Sequence, residues 1–349
     1  MTPQNLLVLP LSTPKLSIGC PILDGCLGGG IPCNSITELV GESGSGKTQV
    51  CLQLTVRAQL PPSHGGLGGS SLYIHTEFSF PLRRLQQLAN HYQASHANLI
   101  GLNPLEDIYV HAVHDAQQMV HVLRDIETFM GIGHTRLPVK LIVIDSIAAL
   151  FGSQYNRTPA DLKCRSEMFF KISGKLKALA NKFGVAVVLT NQVVDVIGPA
   201  DGIDGVRLGN LECLHTSARR VSPALGLAWA HCVNSRVFLS RHEESVGVNS
   251  PYAHSTSISS QTQRRLHVVF SPHLAPASAQ FVITKEGQNL GRSARHQYLH
   301  PISLLVNLMM KTRRAIRRSC IETLNDKEDK KWPPFMHLFD HNSPSNISR

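Results

Sequence analysis

The chain has no apolar run long enough to cross a membrane. The longest candidate in its C-terminal part, Ile302 to Met310, spans nine residues. Its eight cysteines show no C-x-x-C spacing, so neither a zinc site nor a disulfide framework is indicated. Thiols at 20, 26, 33, 51, 164, 213, 232 and 320 read instead as small apolar groups in a reducing compartment, cytosol or nucleus. The opening MTPQNLLVLPLSTPK lacks a basic n-region, and Pro10 interrupts its short apolar stretch, which excludes a secretory signal as the expectation. Acidic residues are also in deficit. Lys and Arg exceed Asp and Glu by 34 to 24, a formal charge of +10. Of this, +6 lies from Gly291 onward, where 11 basic residues face 5 acidic ones. That balance suits a phosphate-rich partner without proving one.

What is present begins with Ser35 to Thr48, SITELVGESGSGKT, an apolar strand running into a glycine loop and a helix. Gly41, Gly46, Lys47 and Thr48 match G-x-x-x-x-G-K-[ST] in the strand–loop–helix context that motif requires. A bare glycine-rich turn is the alternative, but the four fixed positions would coincide by chance in roughly one chain in a hundred of this length. Backbone N–H groups must turn inward onto a phosphate, and side chains larger than hydrogen would block them. The candidate cradle is Gly41, Glu42, Ser43, Gly44, Ser45, Gly46, Lys47, Thr48 and Gln49. Lys47 would neutralise the terminal phosphates of ATP, and Thr48 would present a hydroxyl to Mg²⁺.

A second landmark is the apolar run Val139 to Ile144, a strand buried on both faces that ends in Asp145 and Ser146. A carboxylate at the carboxyl end of such a strand lies beside the phosphate loop and can hold the Mg²⁺ shell. The alternative is a simple N-cap. Other expected strands are Leu72 to His75, ending at Thr76 and Glu77; Ile108 to Val113; and Val185 to Thr190, ending in Asn191 and Gln192. Leu225 to Ala230, Arg236 to Leu239, Arg265 to Phe270 and Gln280 to Thr284 complete the set. ILDGCLGGGIP, 22–32, is expected to supply a short helix and a turn, and further helices are expected after Lys47, from Pro81 to about His91, after the cap Asp115, and from near Asp161 through Phe183. SHGGLGGSS, 63–71, reads as a flexible connection, and 193–222 as a glycine-rich loop without periodicity. The Ser/Thr-rich stretch 245–263 reads as a floppy insertion.

Taken together, GESGSGKTQ, YIHTEFSFPLRRL, LIVIDSIAALF, FGVAVVLTNQV, PALGLAWAHCVNSRVFLSR and RRLHVVFSPHLAPASAQFVITKEG resemble the RecA-type recombinase core over roughly residues 16 to 290. The wording is nearest to the eukaryotic recombinase paralogues. The resemblance implies an α/β fold, a RecA-type P-loop ATPase core. Its central sheet is mostly parallel and flanked by helices, and antiparallel strands close it at the C-terminus. The implied arrangement is an N-terminal arm at 1–14, the core at 15–290 and a basic extension at 291–349. By the same resemblance Glu77 polarises the attacking water, Asp145 stands on the metal side, and Gln192 senses the γ-phosphate and passes its state to the loop that follows. Two DNA-binding loops fall near 152–163 and 193–222. Arg157, Lys163 and Arg165 belong to the first region, and Arg207, Arg219 and Arg220 to the second. Phosphate contacts from such residues are indifferent to base sequence and sensitive to salt.

Departures from the family pattern narrow the expectation. The Phe-x-x-Ala handle that joins successive recombinase subunits has no counterpart at residues 1–15, the first Phe being Phe78. Asp195, Asp201, Asp204 and Glu212 dilute the second loop's attraction for DNA. The resemblance therefore implies a nuclear, non-membrane repair protein that binds single-stranded or junction DNA. It pairs with a sister paralogue and supports the main strand-exchange recombinase, with ATP and Mg²⁺ as cofactors. Two alternatives stay open: an autonomous strand-exchange ATPase, and a scaffold that never turns its ATP over. KTRRAIRR, 311–318, reads either as a nuclear localisation or nucleic-acid patch or as part of a disordered tail.

Overall fold

The computed structural model describes residues 13–98, 103–133, 135–152, 158–196, 214–246, 259–284 and 288–289. The chain divides into two units, Met1–Ala294 and Arg295–Arg349, and every described residue belongs to the first. Residues 1–12 of the expected 1–14 arm, and the extension with KTRRAIRR, lie outside the described residues.

In chain order, β1 (Lys15–Leu16), α1 (Pro21–Cys26) and β2 (Ile31–Pro32) form a small antiparallel entry unit. Next come β3 (Ser35–Gly41), α2 (Lys47–Arg57), β4 (Ser70–His75), α3 (Leu82–Ser95), β5 (Ile108–Ala112), α4 (Ala116–Ile132), β6 (Val139–Asp145), α5 (Pro159–Phe183) and β7 (Ala186–Asn191). The second half runs β8 (Val193–Asp195), β9 (Leu214–Thr216), β10 (Arg219–Pro223), α6 (Gly226–Ala230), β11 (Ser235–Val246), β12 (Ser259–Phe270), β13 (Ser278–Ile283) and β14 (Gln288–Asn289).

Among the described residues the main sheet has nine strands in the order β14-β13-β12-β11-β3-β7-β6-β4-β5. From β11 to β5 every pairing is parallel, and from β11 to β14 every pairing is antiparallel. Alternation along the strands feeds two separate layers of core. Leu141, Val143, Ala186 and Val188 face the layer of α2 and α3, which supply Val50, Leu54, Leu85 and Leu88. Ile142, Ile144, Val187 and Leu189 face α4 and α5, which supply Met119, Leu123, Phe169 and Leu176. Helix starts follow local chemistry. Asp115 accepts from the Gln118 amide at 2.7 Å, and Thr158 with Asp161 closes a capping box at the head of α5. Among the described residues no helix is long and apolar enough to cross a membrane.

Four expectations need correction. Leu225 to Ala230 belongs not to a strand but to helix α6 and its cap. A short apolar run fits either element, and here β3 already has β7 on one side and β11 on the other. The 63–71 stretch is not a loose connection: Leu67 and Gly69 donate to Ala58 O at 3.1 and 3.0 Å, and Gly68 to Leu60 O at 2.8 Å. A Cβ at Gly66 would stand 1.9 Å from Leu60 O, so glycine answers a close backbone approach there. The 193–222 stretch holds β8, β9 and β10, a three-stranded sheet ordered β8-β10-β9, with 197–213 outside the described residues. Both ends of the 245–263 stretch are strand, Val246 pairing with Ser259. Among the described residues, cysteines 20, 26, 33, 51 and 232 are buried, as expected of small apolar groups, whereas Cys164 is exposed. Burial pushes the Cys33 thiol up to about 11 and that of Cys51 well above its ordinary value, so both stay protonated.

Candidate functional site

The carboxyl ends of β3, β4, β6 and β7 meet at a cleft of about 990 Å³ whose walls include the glycine loop, Glu77, Asp145 and Gln192. Parallel strands with helices returning on the faces place their C-terminal tips along one edge, which is where an open α/β sheet binds ligand. The cleft is thus a product of topology, and its chemistry comes from what each strand carries at its tip.

α2 begins at Gly46, a left-handed residue with φ 104° that provides no side-chain cap. A side chain there would be strained, and its Cβ would stand 3.0 Å from Ile283 Cδ1. The first amides of α2 therefore have neither an intrahelical partner nor a capping side chain, and they form a natural anion seat. Lys47 Nζ donates to Gly41 O at 2.8 Å and to Glu42 O at 2.9 Å. Burial pushes its ammonium below the ordinary lysine value, against the pull of Asp145 and Glu77. A half-buried ammonium surrounded by acceptors is suited to a polyanion.

Asp145 is held by three hydroxyls: Oδ2 accepts from Thr48 Oγ1 at 2.8 Å and Tyr73 at 2.7 Å, and Oδ1 from Thr190 Oγ1 at 2.5 Å. Thr48 donates its proton to Asp145, so its lone pairs remain for a cation. Oxygen donors from one hydroxyl and one carboxylate suit Mg²⁺, which keeps several waters and needs no all-protein cage. Among the described residues no group of three or more His, Cys, Asp or Glu is placed to hold a metal ion. Gln192 Nε2 donates to Glu77 Oε1, joining the tips of β7 and β4 across the cleft. The peptide joining Asp145 to Ser146 is cis.

Every expected residue of the cradle, with Glu77, Asp145 and Gln192, is thereby brought to one place, except that Ser45 is buried beneath the loop. The basic residues assigned to DNA are more scattered. Arg157 and Arg207 lie outside the described residues. Lys163 is exposed on the first turns of α5. The Arg165 guanidinium sits 5.3 Å over the Phe169 ring, and burial lowers its pKa. Arg220 is half-buried on β10. Arg219 donates to Glu42 Oε2 at 2.7 Å and Asp195 Oδ1 at 2.8 Å, so carboxylates neutralise its charge where the resemblance implies a phosphate.

Sequence reasoning missed several supporting groups. Tyr73 and Thr190 orient Asp145 from the neighbouring strands β4 and β7, and nothing local in the sequence signals either of them. Arg264 Nε reaches Gly44 O at 3.1 Å from 220 residues away. Arg84 joins Gln49 to the Thr284 carbonyl, at 2.7 and 2.8 Å.

The sequence matches the Rad51 family model over residues 12–242, well over half of its length. This chain belongs to the Rad51 family. Among Rad51-family relatives it is 52% identical over 291 residues to the DNA repair protein XRCC3 homolog of Arabidopsis thaliana, covering 82% of this chain and 96% of that one. It is 34% identical over 280 residues to DNA repair protein XRCC3 of Bos taurus, covering 78% and 74%. To DNA repair protein RAD51 homolog 2 of Mus musculus it is 32% identical over 265 residues, covering 71% and 73%. The expected RecA-type core, with its mostly parallel sheet and antiparallel C-terminal strands, is borne out by this family membership and by the fold.

Proposed function

We propose that this chain is an ATP-binding recombinase paralogue acting in DNA repair by homologous recombination. The repair role follows from membership of the Rad51 family and from relatives that are themselves DNA repair proteins. The observation that carries the nucleotide assignment is the convergence of Lys47, Thr48, Asp145, Glu77 and Gln192 on one cleft.

In that cleft Lys47 and the first amides of α2 bind the phosphates, while Thr48 and Asp145 hold the metal side. Mg²⁺, when bound, supplies charge neutralisation at the phosphates. Glu77, fixed by Gln192, orients the attacking water and accepts its proton. Gln192 begins the segment 193–222, so its contact with Glu77 ties that segment to the nucleotide. The segment, with Lys163 and Arg165 at the head of α5, is the proposed DNA-facing surface, to which Arg157, Arg207 and Arg220 contribute. The chain works in the nucleus beside a sister paralogue and the main strand-exchange recombinase.

Single-turnover ATP hydrolysis, with and without single-stranded DNA, tests this reading. Lys47→Ala and Glu77→Gln each abolish any hydrolysis belonging to this site. Hydrolysis that survived both changes would place the site elsewhere. ATP bound tightly yet never cleaved, with or without DNA, would make the protein a nucleotide-stabilised scaffold.

A further inference from the structure

One side chain of the phosphate loop fastens a distant turn. Glu42 Oε1 accepts from Thr216 Oγ1 at 2.7 Å and Ser217 Oγ at 2.5 Å, and Oε2 accepts from Arg219 Nη2 at 2.7 Å. These donors lie 174 to 177 residues away in sequence. They occupy the turn between β9 and β10, whose two central residues, Ser217 and Ala218, have φ of 46° and 59°. Neither is a glycine, and left-handed backbone of this kind persists only where its surroundings hold it. Here the hold is visible. Thr216 Oγ1 also accepts from the Arg241 amide at 3.0 Å, and Ser217 N donates to Arg241 O at 3.1 Å. Arg219 extends the tie through Asp195 to β8, which pairs with β10.

The segment after β7 is therefore fastened to the cleft at both limbs. It departs at Gln192, bonded to Glu77, and returns at Thr216, bonded to Glu42. Glu42 is also a main-chain acceptor for Lys47 Nζ. An ammonium that turns to a phosphate gives up a carbonyl of the same residue whose carboxylate holds the turn. A ligand shifts an equilibrium only through such a difference in contacts.

We propose that Glu42 is a positioning residue coupling phosphate at Lys47 to the β9–β10 turn, and hence to the return limb of the DNA-facing segment. This rests on the ATP reading given above. Coupling of this kind is reciprocal: whatever ATP does to the turn, a ligand ordering the turn does to ATP affinity by the same factor.

The test uses the full chain and ATPγS with Mg²⁺ as probe, reading amide hydrogen exchange over 214–223. Thr216→Val keeps the shape of the side chain but removes the donor to Glu42 together with the acceptor of the Arg241 amide; Thr216→Ser restores the hydroxyl to both. Without nucleotide, Thr216→Val speeds exchange in 214–223 by about tenfold or more, because the hydroxyl's bond to Glu42 and the one it accepts from the Arg241 amide are both lost. With nucleotide, wild type changes exchange there by about fivefold or more. Thr216→Val still binds ATPγS but loses most of that response, and Thr216→Ser recovers it. A purely structural Thr216 would raise exchange equally in both conditions and leave the response intact, which overturns the coupling. So does wild-type protein that binds ATPγS with no change in 214–223, an outcome that leaves the ATP reading standing. Wild type that fails to bind ATPγS in equilibrium dialysis overturns the ATP reading, and the coupling with it.

Discussion

Glu38 and Glu42 stand four residues apart on one strand–loop unit, and each holds an arginine and two further donors. In the interior, Glu38 Oε1 accepts from Asn191 Nδ2 at 2.7 Å and Trp229 Nε1 at 2.8 Å, and Oε2 from Arg236 Nε at 2.5 Å. Both charged side chains are sealed, at 0% and 2% exposure. At the cleft rim, Glu42 has the same kind of partners, but its arginine is 49% exposed. The difference lies in what replaces a lost contact. Water reaches Arg219 and cannot reach Arg236, so the interior pair is a fixed pin across β3, β7 and β11, whereas the rim pair can open and close.

Removing the interior carboxylate has the largest expected effect. Glu38→Ala leaves Arg236 charged and buried, and lowers unfolding free energy by about 3–5 kcal/mol in chemical denaturation. Replacing both partners, Glu38→Leu with Arg236→Met, recovers most of that loss, because an apolar pair strands no charge. Recovery by neither partner swap nor volume would mean that Asn191 and Trp229, not the ion pair, carry the pin.

Between the two glutamates lies the phosphate seat. Lys47→Ala weakens ATP binding by about ten- to a hundredfold in equilibrium dialysis, the worth of a charge-assisted hydrogen bond. Its effect on stability is small beside that of Glu38→Ala. At the rim, Glu42→Gln keeps an acceptor for Thr216 and Ser217 and costs about 1 kcal/mol or less. An effect as large as that of Glu38→Ala would erase the distinction.

The smallest expected effect is on titration. Burial alone would raise the Glu42 carboxyl, but the Ser217 and Thr216 hydroxyls and the Arg219 guanidinium outweigh it, and its pKa falls below the ordinary 4.5. A carboxylate with a depressed folded value adds stability that is complete above its unfolded value and is lost as pH falls through the folded one. The rim contact is therefore intact at pH 6 and releases only below about pH 4.5. Carbon NMR of the labelled glutamates checks this, and Arg219→Ala moves the Glu42 midpoint upward.

How much of this was legible depended on range. Strand β3, the glycine loop and α2 announce themselves because their signals are local: apolar alternation, glycines and a lysine at fixed spacing. Val139–Asp145 is legible for the same reason. Glu77 and Gln192 came from resemblance, since a lone carboxylate or amide at a strand tip has no signature. The Glu38 network was invisible, its partners lying 153 to 198 residues away. Helix α6 was misread because a short apolar run has no period to decide it. Glycines at 63–71 suggested freedom where the backbone in fact approaches too closely for a side chain. Arg219 was read by its charge alone, and only the folded chain brings Glu42 and Asp195 to it.

If ATP at Lys47 gates partner binding as proposed, this Rad51-family chain meets its sister paralogue differently with and without nucleotide. Mass by light scattering tests it most directly, on the protein alone and mixed with the sister recombinase paralogues, each with and without ATP and Mg²⁺. The expected result is a discrete heterodimer whose response to ATP is lost in Lys47→Ala. Long homopolymers on DNA, or a heterodimer indifferent to both ATP and Lys47→Ala, would contradict it.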